Sequence, residues 1–225
     1  NRFFMLDDYT IWRPTPGYRE KPGRVQRYGN QDLLIDVHGH RVVPGAPALE
    51  VQKPPDVRRI LLVGGSHPFG MWVNPDEAYV EVLGAMLNRD QPGRWQVMNA
   101  ASPGHTTFQG LRYIKHYTEA LDPDIVLFDL GMNDTLPLSI NYAAPDHEVM
   151  QVPTWAGRLG ATLSGLPSYR VLKKALEGVV GRPRPNMVRV PMERQLANQE
   201  AVRSLGEDRG FKTLFFSQVN VSPIG

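Results

Sequence analysis

The stretch Ile60-Leu61-Leu62-Val63-Gly64-Gly65-Ser66-His67-Pro68-Phe69-Gly70 decides the fold. An unbroken apolar run this short suits a strand buried on both faces, as in parallel sheets covered by helices. The two glycines let the chain turn tightly, which leaves the Ser66 hydroxyl exposed beside the next helix start. A serine in such a turn also serves as an ordinary cap, so its meaning depends on its surroundings.

The same rhythm continues downstream. Asn74-Pro75-Asp76-Glu77 reads as a helix start, with a capping residue, a proline at the first position and acids near the positive dipole end. Tyr79, Val82, Leu83, Met86 and Leu87 follow at helical spacing. Trp95, Val97 and Met98 predict a second strand. Phe108, Leu111, Ile114, Tyr117 and Leu121 predict a second helix, and Ile125, Val126, Leu127, Phe128 and Leu130 a third strand. A helix from about residue 191 to Arg209, ended by Gly210, leads to a fourth strand at Thr213, Leu214, Phe215 and Phe216. Alternating strands and helices predict an α/β fold on a parallel sheet, with its site at the carboxyl ends of the strands.

Two regions depart from this rhythm. Residues 1–23, rich in proline and aromatics, read as an extended arm. Residues 24–43 read as a β-hairpin: Val25, Arg27 and Tyr28 lead to Gly29-Asn30, and Leu33, Leu34, Ile35 and Val37 follow. Residues 44–57 form a Pro-rich connection. The expected division is an arm and hairpin over 1–57, packed on a main domain over 58–225. Within that domain, 135–190 forms an inserted excursion with two short amphipathic helices.

Composition narrows the function. The chain has 225 residues, 41% hydrophobic, enough for one sizeable core. Its formal charge is +2, and no basic run carries interleaved aromatics, so nucleic acid is not an expected partner. Without cysteine there are no disulfides or thiolate metal sites. No run of about 18 apolar residues is present to span a membrane. The first residue is Asn1, so a preceding signal peptide or membrane anchor is an open expectation.

Three loops fall at the expected strand ends: Gly64-Gly65-Ser66, Asn99-Ala100-Ala101-Ser102-Pro103-Gly104-His105, and Gly131-Met132-Asn133-Asp134. An ester hydrolase needs a nucleophile and several donors around the developing oxyanion. The Ser66 and Gly104 backbone N–H groups and the Asn133 side chain are candidates for those donors.

The order of these blocks resembles the SGNH (GDSL-type) hydrolase family, over roughly residues 24–134 and 187–219. Asp36-Val37-His38-Gly39-His40-Arg41 also resembles the Gly-x-Arg lead-in of membrane-tethered members. The resemblance implies a flavodoxin-like three-layer sandwich on a five-stranded parallel sheet, here truncated before the last strand and helix. It implies Ser66 as nucleophile and Gly104 and Asn133 as oxyanion-hole residues. The implied activity is acyl or acetyl ester hydrolysis on an O-acylated carbohydrate or lipid, with no cofactor or metal. The implied location is extracytoplasmic, periplasmic and membrane-tethered.

Some residues depart from the pattern. Gly65 replaces the Asp often found before the nucleophile, and His67-Pro68 replace smaller or hydroxylated residues. The Asp-x-x-His block that supplies base and orienting acid does not occur in the chain. Three explanations compete: continuation past Gly225, a degenerate domain, or a substitute base among His38, His40, His67, His105, His116 and His147. Of these, His105 is better placed than His67 and His147 could close over the site like a lid residue, while for each a surface or pocket-wall histidine is the more ordinary reading. Two other functions stay open. One is an inactive accessory or scaffold subunit, binding a protein partner through the arm or the excursion. The other is a metal-dependent hydrolase using Asp36, His38 and His40, since alternate positions on one strand can share a metal.

Overall fold

The computed structural model describes residues 3–20, 32–47, 49–138, 145–149, 155, 159, 162–163, 166–168 and 187–216. Strand β6 (Arg58–Gly64) lies inside the sheet because its apolar run is used on both faces. Ile60 and Leu62 pack with Phe69 and Val80, whereas Leu61 and Val63 pack with Ile114 and Val202. All four strand residues are 3% exposed or less, as a sheet covered on both faces requires.

Around it lie β7 (Trp95–Asn99), β8 (Ile125–Asp129) and β9 (Lys212–Phe215). β6 pairs in parallel with β7 and β8, and β8 in parallel with β9. Helix α2 (Tyr79–Asp90) covers one face through Val80, Leu83 and Leu87. Helices α3 (Thr107–Tyr117) and α5 (Met192–Arg209) cover the other. Short helical turns, α1 (Ser66–Phe69) and α4 (Asp146–Val149), lie between these elements. The result is the expected three-layer α/β sandwich. Among the described residues its parallel part has four strands rather than five.

The N-terminal region departs from expectation. β1 (Phe4–Asp7) and β2 (Ile11–Pro14) form a separate antiparallel ribbon rather than an extended arm. β3 (Arg19–Glu20) then joins the main sheet, pairing antiparallel with β4 (Leu33–Ile35). β4 pairs in turn with β5 (Arg41–Val42), which meets β7 at Arg41 and Asn99. The seven-stranded order is β3-β4-β5-β7-β6-β8-β9. The expected first hairpin strand, Val25 to Tyr28, lies outside the described residues. The second ends at Ile35 and does not include Val37. Asp36 Oδ1 accepts from the His38 and His40 N–H groups, both at 2.8 Å, and folds the chain into a turn that leaves Val37 76% exposed. Most of the excursion, including its second expected helix, also lies outside the described residues; Trp155, Leu159 and Leu166 are exposed. No helix among the described residues is long and apolar enough to cross a membrane.

Helix α3 comes very close to the sheet. A Cβ at Gly110 would stand 2.2 Å from Leu130 Cδ1 and 2.9 Å from Phe128 Cε2. Gly110→Ala gains about 1 kcal/mol in helix propensity, but overpacking typically costs about 1–3 kcal/mol, and a contact this short falls at the upper end. Urea unfolding is expected to show a net loss of about 1–2 kcal/mol.

Candidate active site

Ser66 opens α1 at the carboxyl end of β6 and is partly exposed. The first N–H groups of a helix have no partner inside it, so this turn presents donors beside the serine. The turn is fixed from behind. The Arg41 guanidinium is buried and donates to the carbonyls of Phe69 (2.8 Å), Gly70 (2.5 Å) and Val73 (2.9 Å). It also lies 5.1 Å from the Phe69 ring centre. Asn99 Nδ2 donates to Pro68 O at 3.3 Å. Arg41, legible in the sequence only as part of a lead-in, thus gathers carbonyls where α1 ends.

The second and third loops are tied to the first. Ser102 N–H donates to Gly64 O at 2.9 Å, and Gly65 N–H to Asp129 O at 3.3 Å. Gly131 adopts φ +133, a conformation L side chains rarely take, and turns the chain into the helical turn 132–135. There the Asn133 amide donates to His105 O at 2.8 Å. A Cβ built on Gly65 would sit 3.0 Å from Asn133 Nδ2 and 3.7 Å from His105 O. The residue before Ser66, the Asn133 amide and the residue after Gly104 therefore lie side by side.

Asp134 turns the other way and is fully buried. It accepts from Thr107 N–H at 3.0 Å and from the Thr107 hydroxyl, at the start of α3. Burial pushes its carboxyl up to about 6, against the pull of those bonds.

The histidines divide by environment. His105, better placed than His67 as a local candidate, is 1% exposed, and its Nε2 lies 2.8 Å from Trp12 O. A carbonyl only accepts, so Nε2 carries the proton and the ring is committed to the ribbon. Burial lowers its pKa to about 4. His40 is likewise buried, with Nε2 sharing a 2.8 Å hydrogen bond with the Tyr113 hydroxyl, and burial lowers it to about 4. Asp36 Oδ1 is engaged by backbone N–H groups, and its Oδ2 stands 3.6 Å from His40 Nδ1. Among the described residues no group of three or more His, Cys, Asp or Glu side chains is placed to hold a metal. His116 stacks on Tyr9 with ring centres 4.1 Å apart. His147 is partly exposed on α4. His67 is 71% exposed, its Nδ1 3.8 Å from Asp129 Oδ2, which also accepts from the Tyr79 hydroxyl at 3.1 Å.

Sequence reading missed Arg189. Its guanidinium is fully buried and bidentate on Asp146, with Nε–Oδ1 at 3.0 Å and Nη2–Oδ2 at 2.9 Å. It also donates to Gln109 Oε1 at 2.9 Å and to Gly104 O at 2.5 Å. The available signal was a charge inside the apolar run Met187-Val188-Arg189-Val190, since a cation in such a run needs a buried partner.

The model of the GDSL-like lipase/acylhydrolase family matches residues 62–217, and the chain belongs to that family. Similar solved structures include TesA, at 18% identity and TM-score 0.45, covering 74% of this chain; this chain spans 65% of that protein. They also include AlinE4, an SGNH-hydrolase family esterase, at 22% identity and TM-score 0.33, covering 72% of this chain and 77% of that one. A third is the psychrotrophic esterase EstA from Pseudoalteromonas sp., at 18% identity and TM-score 0.34, covering 71% and 77%. No curated protein sequence matches the chain.

The buried His105 makes stability depend on pH. Its pKa is about 4 in the fold and near the ordinary 6.5 in the unfolded chain, so between those values the unfolded chain binds the extra proton. The stabilisation from a neutral His105 is fully present above pH 6.5 and is lost as pH falls towards 4. Asp134, raised to about 6, acts in the opposite sense, so the clean test is a difference. The stability advantage of the native protein over His105→Gln is expected to shrink by up to about 3 kcal/mol between pH 7.5 and 4. Urea titrations of both proteins at the two pH values measure it.

Proposed function

We propose that the chain carries a serine-dependent ester hydrolase, acting on acyl or acetyl esters of a carbohydrate or lipid outside the cytoplasm. Ser66 is the nucleophile, and the oxyanion donors are the Ser66 and Gly104 N–H groups and the Asn133 amide. The observation carrying this reading is the Asn133 amide, held 3.0 Å from the Cβ position of the residue before Ser66 and bonded to the carbonyl after Gly104.

In this mechanism Ser66 Oγ attacks the ester carbonyl carbon while an imidazole base takes the hydroxyl proton. The carbonyl oxygen becomes an oxyanion among the three donors. Collapse breaks the bond to the alcohol, which leaves with the proton, and water repeats the sequence to release the acid and free Ser66. His40 and His105 are committed elsewhere, so neither is the base. The family base belongs to an Asp-x-x-His block that residues 1–225 do not contain. A second reading is an accessory domain that has kept the fold without the chemistry.

A fluorophosphonate probe on the full-length protein separates the two readings. The ester hydrolase reading expects labelling at Ser66 that Ser66→Ala abolishes. It also expects Asn133→Ala to lower kcat by about 100- to 1,000-fold, the usual cost of losing one oxyanion donor. A folded protein that takes up no label favours the accessory domain.

A further inference from the structure

We infer that Trp12 is a positioning residue for the Gly104 donor, and that the ribbon β1–β2 is the clamp that orients the oxyanion loop. This rests on reading Gly104 as an oxyanion donor.

The geometry begins at Gly104, whose φ of +83 lies where L side chains are rarely found. Having no side chain of its own to anchor it, Gly104 must have its N–H direction set by its neighbours. Three successive carbonyls here each accept from a different part of the chain. Pro103 O accepts from the Trp12 indole N–H at 3.4 Å, Gly104 O from Arg189 at 2.5 Å, and His105 O from Asn133 at 2.8 Å. The peptide planes on both sides of Gly104 are thereby fixed.

Trp12 touches Pro103, His105 and Arg189. Its indole reaches Pro103, and its carbonyl accepts from His105 Nε2–H at 2.8 Å. Its ring meets the His105 ring edge-on, with centres 5.9 Å apart. The Arg189 guanidinium carbon lies 5.2 Å from the centre of the same ring. The indole bond is long, so the ring contact with the arginine that holds Gly104 O is the larger contribution.

The ribbon is fastened firmly enough to serve as a clamp. Gln109 Nε2 donates to Thr10 O at 2.7 Å and Arg112 Nε to Tyr9 O at 2.6 Å, fixing the ribbon turn to α3. Asp7 accepts from the Thr10 N–H and hydroxyl at 2.7 and 2.9 Å, and from the Tyr117 hydroxyl at 2.5 Å. Ile11, directly before Trp12, is held at φ +68. A β-branched residue in that region is strained and persists only where its surroundings over-determine it.

The test uses Trp12→Leu, which removes the aromatic ring, and Trp12→Phe, which keeps a smaller aromatic ring and removes the indole N–H. Steady-state hydrolysis of 4-nitrophenyl acetate is read beside hydrogen exchange of the His105 amide, which donates to Ser102 O at 3.1 Å across Gly104, in the full-length protein. Trp12→Leu is expected to lower kcat about tenfold, with KM within about twofold, and to speed His105 amide exchange by a similar factor. Trp12→Phe is expected to recover most of both. Wild-type His105 amide exchange in Trp12→Leu would overturn the clamp. Accelerated exchange with unchanged kcat would overturn its role in catalysis. A native protein that neither turns over ester nor reacts with the probe would instead remove the ester hydrolase reading, leaving exchange alone to decide the clamp.

Discussion

Burial of the Arg189 guanidinium is the constraint on which the site's geometry depends. A cation removed from water is costly unless its donors are matched, and this one is matched by parts of the chain far apart in sequence. Asp146 brings α4, Gln109 brings α3, and the Gly104 carbonyl brings the loop before α3. Thr106 completes the set by donating its hydroxyl to Asp146 at 2.6 Å. Breaking such a buried pair costs about 3–5 kcal/mol, because the remaining charge is left uncompensated. The loop therefore cannot drift without exposing or stranding the arginine.

The same device recurs in the fold. Arg41 and Arg59 are also fully buried. Arg41 collects carbonyls where α1 ends. Arg59 donates to the carbonyls of Glu50, Val51 and Leu121 and to Gln96, at the opposite end of β6 from Ser66. The guanidinium presents several donors in a rigid planar fork that lysine lacks, so one side chain can serve carbonyls on different loops. Irregular backbone near the core is thus hydrogen-bonded without extending a strand or helix.

How much of this was legible depends on the range of the interaction. The run Ile60 to Val63 declared a doubly buried strand because both faces are apolar, and the strand-end glycines located the loops. Asn133 could be placed because it follows a strand and a glycine directly. Contacts such as Trp12 with Pro103 and His105, or Arg189 with Gly104, join residues more than 80 positions apart and leave no local pattern. The two-residue strand β3 is too short to show alternation. A histidine beside a motif glycine carries no sign of which way its ring turns, so His105 read as a candidate base when the ribbon in fact covers it. Its partner is a backbone carbonyl, and backbone carbonyls are the same at every position.

The departures in the Ser66 turn fit one another. A Cβ at Gly64 would stand 2.1 Å from Pro68 Cγ, so the proline of the His67-Pro68 pair demands a glycine there. A Cβ at Gly65 would meet Asn133 Nδ2 at 3.0 Å, tighter than most real contacts, and would press the amide away from Gly65. Pro68 is tolerated because it lies in the first turn of α1, where its missing N–H removes no helical bond. Its carbonyl still accepts from Asn99. The changes at 64–68 therefore read as one compact solution, in which small residues leave room for a proline on one side and an amide donor on the other. Gly65, standing where an Asp is often found, is what allows Asn133 to approach so closely.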